Sequence, residues 1–309
     1  MRRALATLSA LALPLTLTAC GTSIPGLPGS GSGFGAALNR LEIGSRDQIL
    51  TVGYADVARV RELFGDYPAA PATDPSQRNA RDAWLMTLTG APQAIQMPSP
   101  RSPLAQSEGS YFTHATASVR AYGGTQSNSS WTAGGAGMFD ELAPKLSETY
   151  TVAGDTATLS TRDQVLSRSL PTTIRKDGDA LITATPSDQG SPIKVTERVG
   201  DLKGCLGDPD LAVISAPFES RGGVALMGTA VTLHSTTSAT AVHCVRAADG
   251  TDPNTLADQL RGRQGHDYTA TNVSVSGQVV KVELTPTKDP LESARNTILS
   301  MPERVFPVF

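Results

Sequence analysis

The chain has 309 residues, of which 39% are hydrophobic and 18% charged. That is the make-up of a folded globular protein, with length for one large domain or two small ones. The net charge is −3, and loss of Arg2 and Arg3 with a leader takes the remainder to −5. A mildly acidic body speaks against nucleic acid as a partner and against charge-driven binding to anionic lipid.

The first residues carry the strongest signal. Met1-Arg2-Arg3 is cationic, and residues 4–19 carry no charge. The apolar run is too short to span a bilayer core and ends in small residues, so it reads as a signal peptide over residues 1–19. The run closes on Leu17-Thr18-Ala19-Cys20-Gly21. This resembles the lipobox of bacterial lipoproteins, and the resemblance covers residues 1–21. It implies cleavage before Cys20, acyl chains on that cysteine, and a body held on the outer face of the cell membrane. Ala4-Leu5 after the arginine pair does not fit the twin-arginine export motif, which leaves the general secretory route. Several acyl chains make a stable anchor where one is marginal. Residues 20–35 continue as the lipidated cysteine and a Gly/Ser/Pro tether, with a root-mean-square length on the order of 20 Å.

Along the body, residues 57–64 carry an apolar helical stripe stopped by Gly65. Asp74-Pro75, Asp252-Pro253 and Asp289-Pro290 are helix starts. Aspartate accepts free backbone amides at the N-cap, and proline lacks the amide that would go unpaired. A strand is expected at 116–121 and a helix at 139–147, which Pro144 should shorten. Residues 122–138 between them read as a long irregular loop. Residues 150–160, 173–185 and 272–285 alternate as hairpins around Gly-containing turns. Residues 224–234 and 239–247 make a longer hairpin, in which His243 is expected opposite Ala230. Helices are expected at 161–169, 255–263 and from 289. The fold class is α+β, with mostly antiparallel hairpins interleaved with short helices. The order of elements suggests two similar halves, an N-terminal one over 36–196 and a C-terminal one over 197–309.

Chemistry is sparse. After lipidation of Cys20, Cys205 and Cys244 remain as an even pair in an oxidising compartment, and a disulfide is expected. His114, His234, His243 and His266 lack metal-ligand spacing, and no cofactor motif is present. The Asp-rich segments 176–179 and 249–252 read as plain turns. There is no Gly-x-Ser-x-Gly elbow. Ser191-Pro192-Ile193-Lys194 matches Ser-x-x-Lys without the companion motifs that chemistry needs. The expected role is therefore a non-catalytic binding module for an envelope protein, lipid or glycan, with a hydrolase or transferase as the alternative. The expected contact surface is Trp131 in the 122–138 loop, with Tyr122 and Arg120 at its base, because a large amphipathic ring on a polar loop suits recognition.

Overall fold

A computed structural model describes residues 33–45, 49–67, 75–92, 108–123, 127–147, 149–160, 170–185, 190–217, 221–299 and 305. The signal peptide, Cys20, most of the tether and the helix expected at 161–169 lie outside the described residues.

A short helix, α1 (Phe34–Leu38), leads to strands β1 (Glu42–Gly44) and β2 (Ile49–Ala55). Helices α2 (Val57–Phe64), α3 (Pro75–Thr87) and α4 (Glu108–His114) follow. Next come β3 (Ala117–Gly123), β4 (Asn128–Ala133) and α5 (Ala136–Leu146). Two hairpins, β5 (Tyr150–Ala153) with β6 (Thr156–Leu159) and β7 (Thr173–Asp177) with β8 (Ala180–Thr185), complete this stretch. Strand β9 (Pro192–Lys194) runs straight into α6 (Val195–Leu206), which is followed by β10 (Leu211–Ser215). The last described elements are hairpin β11 (Val224–Ser235) with β12 (Ser238–Ala247), helix α7 (Pro253–Leu260), hairpin β13 (Tyr268–Ser276) with β14 (Val279–Pro286), and α8 (Pro290–Leu299).

Local chemistry explains many of these boundaries. Asp56 caps α2 by accepting the Arg59 amide at 2.9 Å, and Gly65 ends that helix at φ 72°, where a side chain would be strained. Asp252 accepts the Asn254 amide ahead of α7, and Asp289 accepts the amides of Leu291 and Glu292 ahead of α8. Gly154, Gly178 and Gly277 turn the three short hairpins with positive φ.

Twelve strands form one antiparallel sheet in the order β13-β14-β12-β11-β10-β2-β3-β4-β8-β7-β6-β5. The class is therefore mixed, with helices on a mostly antiparallel sheet. β1 and β9 pair as a separate two-stranded ribbon. Alternation along the strands gives the sheet two faces with separate cores. One face carries α2 to α5, α7 and α8 over residues such as Val213, Met227, Val231, Val245 and Val282. The other carries α1 and α6 over Val52, Tyr54, Ala212, Ile214 and Cys244.

The Cys205–Cys244 pair stands at disulfide distance, with Cα atoms 6.2 Å apart, and joins α6 to β12. The α3 terminus docks on the first face through backbone. Gly53 of β2 lies so close beneath the Thr89 carbonyl that a Cβ there would fall 2.0 Å from the oxygen. Arg120 donates Nε–H to the same carbonyl at 2.8 Å, and Tyr111 donates to Thr87 O at 3.0 Å.

Four expectations are corrected. The tether gives way before Gly35, because Phe34 is 1% exposed and packs on the Tyr54 ring at 5.2 Å. The 122–138 loop is instead the end of β3, strand β4 and the first turn of α5, and α5 runs through Pro144 to Leu146. His243 pairs with Thr229, not Ala230, because a bulge between Leu233 and Ser235 shifts the register by one. Residues 195–206 form α6, so the expected division at 196/197 falls inside a helix.

His243 is 1% exposed and shares a 3.0 Å hydrogen bond between Nδ1 and Thr229 Oγ1. Burial pulls its imidazole down to about 4 from 6.5, so the native state holds it neutral where the unfolded chain begins to protonate. Its contribution to stability is complete above pH 6.5 and fades as pH falls toward 4, by about 3 kcal/mol over that window. His243→Gln should flatten the stability profile between these limits in denaturant melts. An unchanged slope would show that the imidazole is not held neutral.

Candidate functional site

A cavity of about 500 Å³ lies on the second face, where β4, β8 and β7 form the floor. That volume falls in the range of small-molecule sites. Cross-strand register places Trp131 opposite Ile182, and Ile182 opposite Arg175. Cross-strand partners share a face, so these side chains line one row. Ser129, Ala184 and Asp177 lie on the same side by alternation. The β1–β9 ribbon forms one wall through Ile43 and Pro192, and the end of α1 contributes Asn39 and Arg40.

The charges of the groove are largely paired within it. Lys194 Nζ donates to Glu42 Oε1 at 2.6 Å across the ribbon. Arg175 Nη2 meets Asp177 Oδ2 at 3.4 Å on β7. Arg40 is exposed and lies over the Trp131 ring, 5.7 Å from its centroid. It has no carboxylate partner among the described residues. Such a stack is worth about 0.5–1 kcal/mol at an exposed site, so a ligand can displace it.

The three residues expected to form one contact surface do not come together. Register sets Trp131 opposite Val119 and Arg120 opposite Ser130, which puts Trp131 on the second face and Arg120 on the first. Tyr122, two residues along β3 from Arg120, shares the Arg120 side. Burial pulls the Arg120 guanidinium down to about 10, and its bond to Thr89 O makes it a clamp on the end of α3. Trp131 is half-buried in the groove, whereas the other tryptophan, Trp84, is fully buried and donates to Gly65 O at 3.2 Å.

The remaining sequence candidates take structural places. Ser191 precedes β9 and Lys194 ends it, and Lys194 is committed to Glu42. His234 bonds Thr240 at 3.0 Å, and His114 meets Glu141 at 2.8 Å. The 176–179 segment is the end of β7 and the turn into β8, and 249–252 ends on Asp252, the α7 cap. Among the described residues no three His, Cys, Asp or Glu side chains gather as a metal site.

Sequence reading missed Arg40, Glu42, Arg175, Asp177 and Lys194 as a group. Glu42 and Lys194 meet across 152 residues of chain, and no local pattern marks that pairing. The chain matches no family model, no curated protein and no solved structure.

Proposed function

We propose that this protein is a non-catalytic binding module of the bacterial cell envelope, exported, anchored by acyl chains on Cys20, and working through the groove around Trp131. The carrying observation is a difference between the two flanks of the sheet. Outward from the β10–β2 pair the strands run β11-β12-β14-β13 on one side and β3-β4-β8-β7 on the other. We read these as two similar halves, with β7–β8 the counterpart of β13–β14 and β5–β6 an added hairpin. In the C-terminal half the twelve-residue α6 covers β11, β12 and β14 on the second face. Its counterpart by position, α1, has five residues and reaches β2 and β3. The groove is the space that a longer helix would fill.

A cavity kept open where the other half is filled forgoes burial of apolar surface, which otherwise contributes about 25 cal/mol per Å². Recognition is a reason to keep it. The hydrolase or transferase reading would need free acid–base groups, and Glu42 and Asp177 are each engaged by a cation.

Two variants test the proposal. Cys20→Ala should move the protein out of the detergent-soluble membrane fraction, and an intact, fully membrane-bound variant would exclude the anchor. Trp131→Ala should lose what mild cross-linking captures on the wild-type protein in its native envelope, while thermal stability falls little. Unchanged capture would exclude the groove as the binding site.

A further inference from the structure

The groove opens at one side onto a polar sheet face that no described helix covers. In register with Trp131 runs the row Ile182, Arg175, Thr156. Beside it on the same face lie Thr173, Thr158 and Thr151 on β7, β6 and β5. Thr151 and Thr158 are exposed, and Thr156 and Thr173 are half-buried. The opposite face of these strands packs Tyr150, Ala157 and Ile174 against the α5 core. With strands about 4.8 Å apart, the row from β4 to β6 extends about 14 Å from Trp131.

This surface selects among ligand chemistries. The buried core of a protein interface and an acyl-chain site are both apolar, whereas beyond Trp131 and Ile182 this face offers Arg175 and hydroxyls. Threonine hydroxyls both donate and accept, which matches a ligand whose own groups do the same. A half-buried indole offers a flat apolar face to a ring that is apolar on one side and polar at its rim. Glu42–Lys194 and Arg175–Asp177 cancel one another in charge, which leaves Arg40 as the lining cation without a described acidic partner.

Resting on the binding-module reading, we infer that the groove and its threonine apron take an acidic glycan: a pyranose unit stacks on Trp131, its carboxylate draws Arg40 off the ring, and the following units cross β8, β7 and β6. No covalent step is involved.

Calorimetry on the full-length protein tests this with a tetrasaccharide of alternating glucuronic acid and N-acetylglucosamine, its carboxyl-reduced form, and trigalacturonic acid. The wild type should bind at least one acidic probe and prefer it to the neutral form. Arg40→Gln should weaken the acidic probe about tenfold, the scale of one charge-assisted hydrogen bond. The same change uncovers the ring and should leave the carboxyl-reduced probe bound equally or more tightly. Trp131→Ala should abolish both, with an unchanged circular dichroism spectrum.

If no glycan probe binds but envelope capture still depends on Trp131, the glycan assignment fails and the binding module stands. If capture is also independent of Trp131, both fail. Acidic probes that bind Trp131→Ala as tightly as the wild type would overturn the site.

Discussion

Gly53→Ala is expected to destabilise the protein by about 3 kcal/mol or more, the upper end for an overpacked core. The added Cβ would sit 2.0 Å from Thr89 O and 2.7 Å from Thr89 C, and both are backbone atoms that cannot swing aside. Moving them breaks the 2.8 Å bond from Arg120 and disturbs the Thr87 carbonyl that Tyr111 holds at 3.0 Å. Arg120 would then be left short of a partner in a buried place, which adds desolvation to the steric cost. Gly204→Ala supplies the contrast. Gly204 lies on the exposed side of α6 with nothing within 4 Å of where an added methyl would sit, so alanine should stabilise by up to about 1 kcal/mol. Urea melts of the two variants against wild type should move in opposite directions. A Gly53→Ala midpoint equal to wild type would mean that the α3 terminus does not dock on β2.

Serine at both Cys205 and Cys244 is expected to cost about 4 kcal/mol, the loop-closure value for a separation of 39 residues. The bond ties α6 to β12, and both sit in the core of the second face with Val199, Leu202 and Ile214. The loss should therefore show as loosening of α6. Hydrogen exchange should rise first along Val195–Leu206, while β11 and β12 keep protection from their partners on the sheet. The groove lies on β4, β8 and β7 and should keep its geometry under native conditions. A double variant as stable as wild type would mean that the bridge does not hold α6 in place.

How much of this was legible depends on whether the signal is local. Asp252 and Asp289 cap helices through neighbours two or three residues away, and these caps can be read directly. The Gly154, Gly178 and Gly277 turns gave the three short hairpins because positive φ favours glycine. Strand β4 was hidden because Asn128, Ser129, Ser130 and Thr132 give no apolar alternation. On its inward side Ser130 instead pairs with Thr183 at 2.7 Å. That strand set the faces of Trp131 and Arg120, so missing it merged two opposite surfaces into one. Helix α6 was masked by Pro192 and by the β-branched run Ile193, Val195 and Thr196, although Glu197 reaches back to the Lys194 amide at 3.1 Å as a helix start should. The groove itself depends on Glu42 meeting Lys194 and on Arg40 meeting Trp131, contacts between distant segments that exist only after folding.

The most direct test of the groove as the binding site is the indole region of a ¹H–¹⁵N correlation spectrum, since the chain has two tryptophans. Trp84 and Trp131 give one Nε1–H signal each, and Trp84 is held in the core by its bond to Gly65 O. The protein is titrated with the uronate tetrasaccharide and then with solubilised envelope fractions. Binding should move the Trp131 indole signal progressively while the Trp84 signal stays fixed. A component that binds, as judged by shifts elsewhere in the spectrum, and leaves the Trp131 signal in place would contradict the groove as the site of recognition.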